Sequence, residues 1–171
     1  MIGAVNQSSE VKVTDKRVEL KELFQLCDMP KLERAIALSR YAFHRPYPDR
    51  KINSLYFDTI GYDALEESIE GNSLRKKTRL RWYGNRKNST KAVLELKFKK
   101  GNISWKHLYK SEYMVTPGAN HWNNFVKCHK LQGINPRLYN MIPISVVKYD
   151  RKYYCSFDGK IRLTIDTNLQ T

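Results

Sequence analysis

Cysteine is scarce in this chain. Cys27, Cys128 and Cys155 are an odd number with no CxxC spacing, which excludes a disulfide framework and leaves a structural zinc without its ligand pattern. No stretch reaches the ~20 apolar residues of a membrane span, and the N-terminus has no apolar leader. Their absence sets the expectation of a cytoplasmic protein. There is no internal repeat or low-complexity tract. There is also no P-loop glycine pattern and no HExxH, so conventional nucleotide folds and zinc hydrolases have no support. Negative charge is the last shortage: 17 Asp and Glu face 31 Lys and Arg, a formal net charge of +14. Such an excess repels itself in a compact domain, and a polyanion relieves it.

Against these shortages stand 171 residues with 41% hydrophobic and 12% aromatic side chains. That is enough for one domain with a real core and excludes a disordered polyelectrolyte. Residues 1–14 are small and polar and read as a flexible lead-in, with a single domain over 15–171. Period-two alternation predicts strands over 17–24, 52–59, 75–84, 92–100, 103–115, 145–156 and 160–169. Helical spacing predicts short helices at 29–39, with Asp28 as N-cap and Pro30 in the first turn, at 63–71, stopped by Gly71, and at 119–131. Turns at Gly101–Asn102 and Asp158–Gly159 make hairpins. The expected class is α+β, dominated by an antiparallel sheet.

Alternation also sorts the charges. Arg75, Lys77, Arg79 and Arg81 share one face while Leu80 and Trp82 take the other. Glu95, Lys97 and Lys99 oppose Leu94, Leu96 and Phe98. Lys106, Lys110 and Glu112 oppose Trp105, Tyr109 and Tyr113, and Arg17, Glu19 and Lys21 repeat the pattern. One reading is a solvated sheet face, the common case for antiparallel sheets. The other is an anion site, because like charges side by side are unfavourable unless an anion lies among them. A curved or closed sheet would turn that face into a cationic cavity suited to a triphosphate or polyphosphate. Carboxylates within it would need a divalent metal to bridge them to phosphate oxygens.

The ordered set R-V-E-L-K (17–21), I-N-S-L-Y-F-D-T (52–59), S-I-E-G-N-S-x-R-K-K-T-R-L-R-W-Y-G (68–84), L-E-L-K (94–97), Y-D-R-x-Y-Y (149–154) and R-L-T-I-D-T-N-L (162–169) resembles the VTC domain. That domain belongs to the triphosphate tunnel metalloenzyme (CYTH-like) superfamily and occurs in polyphosphate polymerases. The resemblance implies an antiparallel β-barrel forming a tunnel, with a few short helices. It implies ATP and inorganic polyphosphate as partners, and transfer of a terminal phosphate onto polyphosphate with Mn2+ or Mg2+. By position, Lys21, Arg79, Arg81, Lys97, Arg151 and Arg162 become the phosphate-binding cations, with Lys106 joining from the next strand. Lys21, Arg79, Arg81 and Lys97 are placed nearest the chemistry. Glu19 and Glu95 are the candidate metal ligands; charge partnership with neighbouring Lys and Arg is their alternative role.

In the family the chain continues past R-x-T-x-D-T-N-L into a strand with a metal-binding glutamate. Here the sequence ends at Thr171, so the expectation is a barrel lacking its last wall and its main metal ligand. The open sheet edge then invites self-association. Rival readings are a tripolyphosphatase, a non-catalytic polyphosphate binder, and a nucleic-acid-binding barrel. In the last, Trp82, Tyr83, Tyr109 and Tyr113 would stack bases, although most of them fall on the apolar face. Cys128–His129 with His121 has no second ligand pair to complete a metal site, and His44 and His107 lack an evident partner for acid–base work.

Overall fold

The computed structural model describes residues 11–84, 90–115 and 140–171. The predicted helix at 119–131, with His121, Cys128 and His129, lies outside the described residues. The elements in chain order are β1 (Val11–Val13), β2 (Arg17–Val18), α1 (Met29–Ala37), β3 (Arg50–Asp58), α2 (Asp63–Ile69), β4 (Leu74–Tyr83), β5 (Thr90–Lys100), β6 (Ile103–Val115), β7 (Ile142–Cys155) and β8 (Arg162–Gln170). The α+β class expected from the pattern is present as an eight-stranded antiparallel sheet with two short α-helices.

Strand order is β1-β6-β5-β4-β3-β7-β8, with β2 also on β6. No pairing among the described residues joins β8 back to β1, so the sheet is not closed into the barrel that the resemblance implies. Closure requires the first and last strands to pair along a consistent tilt. Here β1 is three residues long, and β8 takes its register from β7 alone.

The chain divides into two compact units, Met1–Glu19 with Asn53–Val147, and Leu20–Ile52 with Lys148–Thr171. In the first, β4, β5 and β6 form a meander whose alternation matches the sequence. Leu80, Trp82, Leu94, Leu96 and Tyr109 are buried with Phe57 and Ala92 in one core, against which Leu55, Phe98 and Met141 pack. Two of the four aromatics proposed to stack bases, Trp82 and Tyr109, are therefore core residues. A two-residue turn joins β5 to β6, with Lys100 opposite Ile103. Gly101 lies at φ 55 while Asn102 stays at negative φ, the Gly-first arrangement of a II′ turn.

Two N-terminal expectations change. Residues 11–13, read as lead-in, form β1 against β6, with Lys12 opposite Leu108. The strand predicted over 17–24 stops at Val18, whose partner Ile103 is the first residue of β6, where the chain turns back through Asn102 and Gly101 into β5. The first helix starts where expected, with Asp28 at the N-cap and Pro30 in the first turn, but the capping bonds differ. Asp28 sits at φ −86, ψ −3 and makes no side-chain cap; its carboxylate meets Lys31 instead. In α2 the cap comes from the buried Asp58 at the end of β3. Its oxygens accept the backbone N–H groups of Ala64 at 3.0 Å and Leu65 at 3.1 Å.

In the second unit, α1 lies in the chain between Leu20 and Ile52, and β7 pairs with β8 from Lys148 to Cys155. Backbone bonds tie His44 to Cys155 in both directions. Among the described residues no helix is long and apolar enough to cross a membrane.

Candidate functional site

The register of the meander builds the site. Arg79 lies opposite Glu95, Lys77 opposite Lys97, and Arg75 opposite Lys99. On the other side of β5, Lys97 lies opposite Lys106 and Lys99 opposite Ser104. Ser104 in turn faces Arg17. Directly opposed residues share a face, so these rows form one polar surface, with the core on its reverse. Three lysines in a row on neighbouring strands (77, 97 and 106) are an unfavourable like-charge arrangement by themselves.

One carboxylate organises the buried end of this surface. Glu95 is 5% exposed and accepts from Arg79 Nε at 2.9 Å and Nη2 at 2.6 Å, both at Oε2. Arg81 Nη1 lies 3.3 Å from Oε1, and Lys106 Nζ 3.8 Å from Oε2. Three cations around one carboxylate leave a formal excess of two positive charges. Burial alone would raise the carboxyl pKa of Glu95, but Arg79, Arg81 and Lys106 together hold it below its ordinary value. For Lys106 the balance goes the other way. Burial comes first, and repulsion from Arg79, Arg81 and Arg17 adds to it, so despite the attraction of Glu95 its pKa falls to about 8. A buried group of net positive charge is a candidate anion site.

Arg79 is held from both sides. Its Nη1 donates to the Tyr56 hydroxyl at 3.1 Å, and its guanidinium lies 5.9 Å from that ring centroid. Burial opposes its charge, but Glu95 and Tyr56 outweigh that and raise its pKa. Of its five N–H groups, three are bonded to Glu95 and Tyr56. Tyr56 was not singled out in the sequence. The available signal was its place beside R-L-R-W-Y-G in the motif set, since alternation says nothing about which strands become neighbours.

Lys97 pairs with Glu19 at 2.6 Å, and Ser104 Oγ donates to the same oxygen at 3.4 Å. Both candidate metal ligands are therefore engaged by protein groups, Glu95 by three cations and Glu19 by Lys97. Among the described residues no group of three or more His, Cys, Asp and Glu could hold a metal ion. A resident Mn2+ or Mg2+, which needs several oxygen ligands, does not fit the described carboxylates.

The remaining predicted cations belong to the second unit. Arg151 forms a two-pronged pair with Asp166, Nε to Oδ1 and Nη2 to Oδ2, each at 2.6 Å. Its guanidinium lies 5.0 Å from the Tyr149 ring centroid. Burial works against its charge, yet the Asp166 bonds raise its pKa. Arg162 is exposed at the start of β8, and Lys21 is exposed in the segment after β2. The first unit thus brings together Arg79, Arg81, Lys97 and Lys106 with Glu19 and Glu95, and the second holds Lys21, Arg151 and Arg162.

The family model described as VTC domain matches residues 16–171, nearly the whole chain. No curated protein matches it.

Proposed function

The chain belongs to the VTC-domain family and is a polyphosphate-polymerase-related domain; from that premise we propose that Arg79, Arg81 and Lys106 bind the terminal phosphates of a nucleoside triphosphate or polyphosphate, and that the domain transfers a terminal phosphate onto polyphosphate. The observation that supports this most is the buried cluster in which Glu95 is outnumbered three to one by cations.

Phosphoryl transfer asks little covalent chemistry of a protein. Positioning and charge neutralisation supply most of the barrier reduction. The guanidinium of Arg79, fixed by Glu95 and Tyr56, presents its remaining N–H donors without having to be ordered at the moment of binding. Arg81 adds charge from the same strand and Lys106 from β6. Lys97 can exchange Glu19 for a phosphate oxygen, since the two anions compete for the same ammonium. A divalent ion enters this scheme with the substrate, as the metal–triphosphate complex, because the described carboxylates offer it no seat.

That last point also favours a second reading, a domain that binds polyphosphate without turning it over. Calorimetry with tripolyphosphate tests the site shared by both. Arg79→Ala and Arg81→Ala each weaken binding by more than ~1.5 kcal/mol, about tenfold, as for a lost charge-assisted hydrogen bond. Unchanged affinity in both variants overturns the assignment. Polyphosphate formation from ATP and Mn2+ then separates the enzyme from the binder.

A further inference from the structure

The sheet face that carries the core is not covered along its whole length. Leu80, Leu94 and Tyr109, opposed across β4, β5 and β6, make a buried row. Six residues toward the start of β4, about 20 Å at ordinary strand rise, the same face ends in a row of Leu74, Lys100, Ile103 and Val18. Here Leu74 is 59%, Ile103 46% and Val18 67% exposed. The next row, about 7 Å further in, is Lys76, Phe98 and Trp105, all half-buried. Phe98 and Trp105 stack with ring centroids 5.5 Å apart, and the Lys16 ammonium lies 5.7 Å from the Trp105 centroid. Lys16 and Lys100 are exposed and, among the described residues, in no ion pair.

We propose that this end of the apolar face docks on a lipid surface rich in anionic headgroups, which Val18, Leu74 and Ile103 enter. The inference does not depend on the phosphate site, because the cluster around Glu95 lies on the opposite face. The order of the rows favours lipid over other partners. Aliphatic side chains stand outermost, the indole one row behind them, and lysine stems beside both. A bilayer interface is filled in that order: hydrocarbon takes the aliphatic tips, the headgroup layer takes Trp, and ammonium groups snorkel to the phosphates. A second copy of the chain fits worse, since a symmetric contact would set Lys16, Lys76 and Lys100 against their own kind. A nucleic acid fits worse as well, since aliphatic side chains offer no stacking plane and Trp105 already stacks on Phe98. Acidic groups stand at the margin: Asp15 precedes Lys16, and Glu67 of α2 accepts the Lys76 backbone N–H at 3.4 Å. The apolar row therefore supplies most of the attraction, and the lysines supply the preference for anionic lipid.

The test uses the full chain, vesicles of phosphatidylcholine with and without about one-third phosphatidylserine, and saturating tripolyphosphate to block the cationic face. Cosedimentation with the mixed vesicles persists when tripolyphosphate is bound. Val18→Ser, Leu74→Ser and Ile103→Ser together lower the partition coefficient at least about tenfold, because three side chains no longer leave water, while calorimetric tripolyphosphate affinity stays within about twofold. Lipid brominated in its acyl chains quenches the tryptophan fluorescence, and Trp105→Phe removes that quenching. Ile103→Ser alone shifts partition in the same direction and serves if the triple variant does not fold. Vesicle binding that tripolyphosphate abolishes, equal partition into phosphatidylcholine alone, or unchanged partition of the serine variants each overturns the proposal. So does a wild-type dimer that the serine variant dissolves, which assigns the patch to a second copy. For a chain that ignores tripolyphosphate, the serine variant and the quenching still decide.

Discussion

Lys106 makes pH a sharp probe of the cluster. Its pKa in the folded chain is about 8 against an ordinary 10.5. Between those values the unfolded chain holds more protons than the folded one, so stability rises with pH across that window. The cost of keeping a charged ammonium buried, and beside Arg79, Arg81 and Arg17, is fully present below pH 8. It amounts to about 3 kcal/mol at ~1.4 kcal/mol per pKa unit, and it is relieved as pH climbs toward 10.5. Above pH 10 Tyr109 works in the opposite direction, because burial raises its pKa, so pH 8–10 is the interval to use. A bound phosphate chain reverses the trend, since it favours the charged amine. Tripolyphosphate affinity falls by up to about tenfold per unit above pH 8, and binding there takes up as much as one proton. Calorimetry in buffers of different ionisation enthalpy reads the proton uptake, and urea unfolding reads the stability. Lys106→Met abolishes both trends. A Lys106→Met profile that superimposes on the wild type refutes the reasoning.

Two further expectations follow from other contacts. Glu19→Gln removes a carboxylate that competes for Lys97; stability drops by no more than about 1 kcal/mol and tripolyphosphate affinity rises, whereas a fall in calorimetric affinity would show that Glu19 assists binding. Asp58→Ala deprives α2 of its acceptor for Ala64 and Leu65 and lowers stability by about 1–2 kcal/mol; the urea midpoint shifts, the m-value does not, and tripolyphosphate binding is unchanged.

The meander was legible because each of its strands repeats the same two-residue alternation and one of its turns announces itself. That placed Arg79, Arg81, Glu95, Lys97 and Lys106 on a common face before any coordinates. Alternation is a property of a single strand, however, and says nothing about register. The alternation left Glu95 as either a metal ligand or a charge partner of neighbouring Lys and Arg; the register that sets it opposite Arg79 shows the second. The metal role expected for it rested on the family resemblance and its place on a central strand. Tyr56 escaped for a similar reason, since its bond to Arg79 crosses strands 23 positions apart in sequence. The early end of β2 was hidden because a strand's length is set by its partner as much as by its own pattern. Asp58 was hidden as a cap because it lies six residues before Ala64, well outside the local window in which capping residues are sought.

The two-residue link at Gly101–Asn102 has a consequence for how this domain tolerates change. Strand pairing has a strict parity, so one amino acid inserted or deleted at that link, with the turn kept at two residues, would carry Lys106 to the apolar side and set Trp105 (insertion) or His107 (deletion) opposite Lys97 in its place. Every cation would still be encoded, yet the surface would be dismantled. The count of residues from Glu95 to Lys106 is therefore as much a part of this site as the lysine itself, and insertions should be sought anywhere but there.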